Sequence, residues 1–333
     1  MKNLHHKFVM TRRDVMLAGA TAIASLPQLT LAAGAVDYPS RPITFFVPFP
    51  AGGPTDRIIR AMTTQAAKYL GQSFVIESKP GGSTTIAAQA LANAKSDGYT
   101  LGIVPMTINR LNALGRTKID VLKDFSFIAR VVGQTHGLVV RADSPFKSVA
   151  DIARAAKERP GLISYGTSGV VSHTHVAMED FSRTAGVKLN HIPFKGGTES
   201  LKALIGGEID LMADSALWAP MVDAGKARLL ATWGDARSAR YPNVPTMKEL
   251  GYNLVMMAPF GIGGPVGVDA RTLAKLRVAF REAIRSPEFR EECDRVLAPV
   301  MYQDADEFRR YAEANLTLER ALVARLNLKA LLD

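Results

Sequence analysis

The chain has a single cysteine, Cys293, among 333 residues. One thiol forms no internal disulfide and supplies no multi-cysteine metal site. In the C-terminal helices it reads as a small buried residue rather than a nucleophile. Aromatic residues are few, at 7%, with two tryptophans, and Trp218 and Trp233 read as core rather than ligand platforms. After the first 35 residues no stretch is long and apolar enough to span a bilayer, which takes about 20 residues. There is no low-complexity tract and no short-period repeat. Basic residues exceed acidic ones, 41 to 31, for a net charge of +10. No basic stripe with interleaved aromatics accompanies that excess, which argues against nucleic acid. A mild positive field that draws in anionic solutes suits it better.

What is present begins with a targeting segment. Lys2, Lys7, Arg12 and Arg13 form a basic start, and Val15 to Ala33 is uncharged and rich in Ala, Leu and Thr. Ala33-Gly34-Ala35 offers small residues for cleavage, so 1–35 reads as a signal peptide and the mature chain starts near Val36, in the periplasm. Thr11-Arg12-Arg13-Asp14-Val15-Met16 resembles the twin-arginine export signal, with Val and Met in place of its usual Phe and Leu. The alternative is a Sec signal with two incidental arginines. No cysteine follows the apolar segment to carry a lipid anchor.

Beyond it the pattern is strand, Gly-rich turn, helix, repeated. Ile43 to Phe49 is a short apolar run, and Asp56 to Leu70 shows helical periodicity that stops at Gly71. Strands are expected at Phe74–Glu77 and Thr100–Val104, with a helix over Thr84–Ala94 between them. A second block has strands at Gly137–Val140, Leu162–Tyr165, Leu189–Phe194, Ile209–Ala213, Ala227–Thr232 and Met256–Phe260. Ser148 and Asp151 open one of its helices in the manner of a capping box. The tail reads as helices over Ala270–Ser286, Pro287–Val296 and Ala305 to about Leu328, used for packing. Alternating strands and helices indicate βαβ units. The expected fold is α/β, with two lobes of parallel or mixed sheet flanked by helices: 36–135 plus 258–333, and 136–257.

Four turns share one chemistry. They are Pro50-Ala51-Gly52-Gly53-Pro54-Thr55, Pro80-Gly81-Gly82-Ser83-Thr84, Gly166-Thr167-Ser168-Gly169 and Lys195-Gly196-Gly197-Thr198. Each joins a strand to a helix, and in a parallel sheet such turns lie at the carboxyl edge, where ligands bind. Free N–H groups at a helix start attract anions. Glycine lets a ligand approach the backbone, and hydroxyls add donors. Any one of these turns is explained by helix capping alone; four together point to a cleft.

Sharper chemistry is missing. Gly166-Thr167-Ser168-Gly169-Val170 departs from the nucleophile elbow at its last position. Gly261-Ile262-Gly263-Gly264-Pro265-Val266 lacks the last glycine of the dinucleotide fingerprint. His173, His175 and Glu179 invite a metal test, but no third helix ligand or H-E-x-x-H pattern completes a site. No cofactor and no metal are expected.

The set of motifs resembles the tripartite tricarboxylate transporter substrate-binding proteins, the Bug (TctC-like) family. It begins with Tyr38-Pro39-Ser40-Arg41-Pro42-Ile43 and Val47-Pro48-Phe49-Pro50-Ala51-Gly52-Gly53-Pro54-Thr55-Asp56. It continues through Lys79-Pro80-Gly81-Gly82, Ser96-Asp97-Gly98-Tyr99-Thr100-Leu101, Lys123-Asp124-Phe125, Tyr165-Gly166-Thr167-Ser168-Gly169 with Ser172 and His175, His191-Ile192-Pro193-Phe194-Lys195-Gly196-Gly197, and Pro242-Asn243-Val244-Pro245-Thr246. The resemblance covers essentially the whole mature chain. It implies a type II periplasmic-binding fold, a Venus flytrap, that holds a carboxylate through loop amides and ordered water.

Carried over, the resemblance implies ligand contacts from Phe49, Ala51, Gly52, Gly53, Thr55 and Asp56. It adds Gly82, Ser83 and Thr84, then Gly166, Thr167, Ser168, Gly169, Ser172 and His175, then Lys195, Gly196, Gly197, Thr198 and Asp214. Two features depart from the family: Pro54 removes a possible N–H donor, and Asn109 to Asp120 lacks the usual Asn-Pro and Leu-Pro-Tyr-Asp features. The expectation is a monomeric, non-enzymatic solute-binding protein that delivers a small carboxylate to membrane permease subunits. The alternatives are a ligand-dependent partner of a sensor kinase and a secreted hydrolase.

Overall fold

The computed structural model describes residues 38–253 and 255–331; the signal segment read over 1–35 lies outside the described residues. β1 (Ile43–Val47) buries alternate side chains. It leads through a glycine turn into α1 (Pro54–Leu70), which has proline in its first turn and ends on Gly71 at φ 71, the usual asymmetry of helix ends. β2 (Phe74–Ser78) and β3 (Thr100–Pro105), joined through α2 (Thr85–Ala92), pair parallel to β1 on its two sides. Next come α3 (Thr107–Ala113), α4 (Val121–Asp124) and the long β4 (Phe125–Gln134).

After Thr135 the chain enters a second sheet as β5 (His136–Arg141). Helix α5 (Val149–Glu158) follows, with Ser148 accepting from the Asp151 N–H at its start. Then come β6 (Ser164–Thr167), α6 (His173–Ala185), β7 (Asn190–Pro193), α7 (Gly197–Gly206), β8 (Leu211–Ser215), α8 (Ala219–Asp223) and β9 (Ala227–Thr232). The chain returns to the first sheet with β10 (Ala258–Pro265), then α9 (Ala270–Arg285), α10 (Pro287–Arg295), β11 (Val300–Gln303) and α11 (Ala305–Arg325).

The first sheet has the order β11-β4-β10-β3-β1-β2 and the second β7-β6-β8-β5-β9. Both are mixed. Each holds three parallel strands beside an antiparallel one, β10 against β3 and β5 against β8. The functional consequence is geometric: the carboxyl ends of β1, β3, β6 and β8, the end of β4 and the starts of β5 and β10 meet in one region.

Several elements differ from the reading of the sequence. β4, β11 and α3 went unread. β4 is buried along nearly its whole length, covered by α9 and α11, so it shows no inside–outside alternation to read. β10 runs to Pro265 rather than stopping at Phe260. Its glycines serve close packing: a Cβ on Gly261 would meet the Phe308 ring at 2.3 Å, and one on Gly263 the Ser126 carbonyl oxygen at 2.6 Å. Trp218, Trp233 and Cys293 are all buried, and burial pushes the Cys293 thiol up to about 12.

Candidate functional site

A cavity of about 650 Å³, counted to its mouth, lies where these strand ends meet. The starts of three helices ring it: Gly53, Pro54 and Thr55 of α1, Ser172, His173 and Thr174 of α6, and Gly197 and Thr198 of α7. First-turn N–H groups have no partner inside their helix and carry the positive end of its dipole. Pro54 donates nothing, which leaves Thr55 and Asp56 to supply the first N–H groups of α1. Thr55 is fixed by Gln134, whose Nε2 donates to its Oγ1 at 2.7 Å. Ser172 caps α6 by accepting from the His175 N–H at 3.2 Å.

Of the residues expected in the site, Phe49, Gly53, Thr55, Ser83, Thr84, Ser168, Ser172, Gly197, Thr198 and Asp214 line this cavity. Gly82, Gly169 and Lys195 line an adjoining recess that shares Phe49, Ser83, Thr84 and Ser168. The others support the loops. Ala51 and Gly52 are at the surface. The buried Asp56 carboxylate accepts from the Gly52 N–H at 2.9 Å and from Arg60 Nε at 2.8 Å. Thr167 is buried, donates to the Gly169 carbonyl at 3.1 Å and pairs with His191 Nε2 at 2.7 Å. Gly166 packs where a Cβ would come within 2.5 Å of Ser200 Oγ, and Gly196 where one would come within 2.7 Å of Pro50.

His175 faces away from the cavity. Its Nδ1 accepts the Val171 N–H at 2.8 Å, and its ring stacks on His191 at 3.7 Å between centroids. Glu179 lies 3.6 Å from its Nε2 and accepts from the Tyr165 hydroxyl at 2.8 Å. Against its burial, these two neighbours hold the Glu179 carboxyl below the usual range. Burial, with His175 alongside, drives His191 down to about 3. His175 therefore props the loop 167–172 from behind. Among the described residues no three His, Cys, Asp or Glu side chains gather as metal ligands.

The cavity also takes Thr107, Gln134, His136, Thr174, Ser215, Leu217 and Ala258, none of them picked out from the sequence. Gln134 and His136 flank the point where the chain leaves the first sheet, and a short polar break, Gly133-Gln134-Thr135-His136, between two apolar runs was the available signal. Neither histidine of the cavity is charged at neutral pH. Burial lowers His136 to about 4, while its Nδ1 bonds the Met256 carbonyl at 3.2 Å. Burial, then Arg110 and His136, hold His173 well below its usual value. Among the described residues, Asp214 is the one carboxylate in the lining, and no Lys or Arg belongs to it. Burial pushes Asp214 up to about 6, while bonds from Ser215 and the nearby Ser168 pull it back.

The loops of the two sheets touch across the mouth. Ser83 Oγ donates to the Val170 carbonyl at 2.6 Å, and Thr107 Oγ1 lies 3.3 Å from His173 Nδ1. Behind them Arg110 is fully buried. It donates to Glu319 at 2.7 and 2.8 Å and to the Val171 carbonyl at 2.9 Å. Asn109 donates to Asn315 at 2.9 Å. The stretch that departs from the family pattern thus pins the tail helix α11 and one cavity loop together.

Residues 58–328 match the model of the tripartite tricarboxylate transporter family receptor, TctC. The chain belongs to this family. A UPF0065 protein of Cupriavidus necator is 39% identical over 312 residues, covering 94% of this chain and 95% of that one. The malate-bound MatC of Rhodopseudomonas palustris superposes with a TM-score of 0.80 at 27% identity, over 86% of this chain and 100% of its own. An R. palustris protein with adipate gives 0.82 at 29% identity, over 87% and 99%. TctC proteins are solute-binding receptors of the periplasm, and the two mixed sheets described above are their two-lobed fold. Among the described residues no helix is long and apolar enough to cross a membrane.

Proposed function

We propose that this TctC protein is the extracytoplasmic receptor of a tripartite tricarboxylate-type transporter. It captures a small carboxylate in the cavity between its lobes and delivers it to the membrane permease subunits. The lobes are 36–135 plus 258–333, and 136–257, and the mature chain starts near Val36. The observation that carries the reading is a cavity ringed by three helix starts and hydroxyls, with no Lys or Arg in its lining among the described residues. Such a site recognises an anion through fixed dipoles and amide donors rather than through a counter-ion. Malate and adipate in the similar structures are anions of suitable size.

The test is a thermal-shift screen of the mature protein against small mono- and dicarboxylates, with the matching amides as controls. A carboxylate should raise the melting temperature by mass action. The amide should bind at least about tenfold more weakly, because its NH₂ meets donors and the charged hydrogen bonds are lost. Equal shifts from acid and amide would refute the anion-site reading. Ligand should also shrink the radius of gyration in solution scattering as the lobes close.

A further inference from the structure

We infer that Asp214 makes this cavity selective for carboxylates that also carry a hydrogen-bond donor, an ammonium or a hydroxyl, over the same acids without one. The inference rests on the carboxylate-receptor reading and specifies its ligand class. Asp214, the penultimate residue of β8, lies in the cavity wall and is only 4% exposed. Its Oδ1 accepts from the Ser215 N–H at 2.7 Å and the Ser215 hydroxyl at 3.2 Å. Its Oδ2 is buried and, with Ser168 nearby, receives no well-formed hydrogen bond from the described residues. A buried carboxylate oxygen without a well-placed donor is costly, and among the described residues the lining offers no Lys or Arg to neutralise it. With a carboxyl at about 6, Asp214 is mostly ionised at neutral pH.

The position of this carboxylate gives the cavity a direction. Asp214 sits against the start of α7, so close that a Cβ on Gly197 would lie 2.7 Å from Oδ1. A protein carboxylate therefore already occupies the anion-attracting end of that helix. The starts of α1 and α6 remain for the ligand's carboxylate, and like-charge repulsion keeps that carboxylate away from Asp214. A donor on the ligand then meets Oδ2. His136 adds a second acceptor to the wall, because a neutral ring that donates from Nδ1 to the Met256 carbonyl keeps a lone pair on Nε2. Malate carries such a donor and adipate does not, so the two ligands of the similar structures bracket the choice.

The experiment is isothermal titration of the mature protein with matched straight-chain dicarboxylates of three to six carbons. Each length is supplied unsubstituted, 2-hydroxylated and 2-aminated, at pH 7.5. At one or more lengths the wild-type protein should bind a substituted acid at least about tenfold more tightly than its parent, as expected for a charged hydrogen bond. In Asp214→Asn, checked for folding by its melting curve, that ratio should fall below about threefold. Equal or tighter binding of the parent at every length overturns the inference and leaves the carboxylate reading standing. So does a preference that survives in Asp214→Asn. If none of these acids binds the wild-type protein while other carboxylates do, the inference also falls. If no carboxylate binds at all, both readings fall. The wild-type comparison stands even if the variant does not fold.

Discussion

Arg110→Met should unlock the cavity loop from behind and cost more stability than any change in the cavity itself. Arg110 has no exposed side-chain surface, and Glu319 opposite it is 6% exposed. Their two hydrogen bonds, 2.7 and 2.8 Å, form a bidentate pair inside the protein, and a third from Arg110 holds the Val171 carbonyl. Val171 sits at φ 50, where a β-branched residue is strained and needs outside support. Removing one partner of a buried ion pair costs about 3–5 kcal/mol, because the other charge stays buried and unpaired. The orphaned carbonyl adds about 1–3 kcal/mol. One side chain serves both roles, so the terms overlap, and a loss of about 4–6 kcal/mol is expected. At about 2–4 °C per kcal/mol, the melting temperature should fall by roughly 10–20 °C. Urea denaturation followed by circular dichroism should be run on Arg110→Met, Glu319→Leu and the double variant. The double variant leaves no charge buried and should be more stable than the sum of the singles by at least about 2 kcal/mol. A loss below about 1 kcal/mol in Arg110→Met, or strict additivity, would show that the pair supports nothing.

Gly53→Val should leave the fold intact, since Gly53 has an ordinary φ of −75 and a Cβ there meets nothing closer than 3.6 Å. Its side chain would project into the cavity beside Thr198 and block close approach to the start of α1, and calorimetry should find binding lowered by about a hundredfold or more, the scale of about 3 kcal/mol. Gly169→Val adds backbone strain at φ 131, so it should lower both binding and melting temperature; an unchanged melting curve would contradict the assigned backbone. Ser83→Ala removes the 2.6 Å bond to Val170. It should expand the ligand-free protein in solution scattering and weaken binding by about fivefold, the worth of one hydrogen bond, whereas unchanged affinity would remove Ser83 from closure. The ligand-free protein should lose stability as pH falls from 6.5 to 4. His136, at about 4, stays neutral in the folded state while the unfolded chain takes up a proton. That difference alone is worth about 3 kcal/mol. His173 and His191 act in the same direction, while Asp214, protonated when folded but ionised when unfolded, opposes them between about 4 and 6. Flat stability across that window would refute the burial of these rings.

The parallel part of the fold was legible because each of its strands is followed by a glycine turn and an amphipathic helix. Ile43–Val47, Pro54–Leu70 and Gly71 show all three signals in succession. The antiparallel part was not. β4 and β10 have both faces covered, and β10 carries glycines where neighbours press against its backbone, so neither strand alternates. The short β11 has no turn chemistry of its own. β4 and β10 stand where the chain passes between the sheets, so the residues at those crossings, Gln134, His136 and Ala258, went unread with them.

The loops fared better because their chemistry is local. A helix start that presents N–H groups needs glycine or a hydroxyl at fixed places, and those residues stand out in sequence. What the loops do not reveal is which side of the turn faces the ligand. His175 lies within the first turn of α6 and was grouped with the cavity residues, yet its ring turns back beneath the loop to receive the Val171 N–H. His173, two residues earlier, lines the cavity instead. Two residues along a helix is a rotation of about 200°, so the pair was bound to point to opposite sides. Only the position of β3 and α3, which bring Thr107 within 3.3 Å of His173, decides which of the two faces the cavity. The polarity of the cavity is equally non-local. Asp214 comes from β8 and Gly197 from α7, and their approach arises only because α7 packs over the end of β8. A carboxylate placed there by tertiary contact gives a cavity otherwise ringed by helix starts and hydroxyls two distinguishable ends.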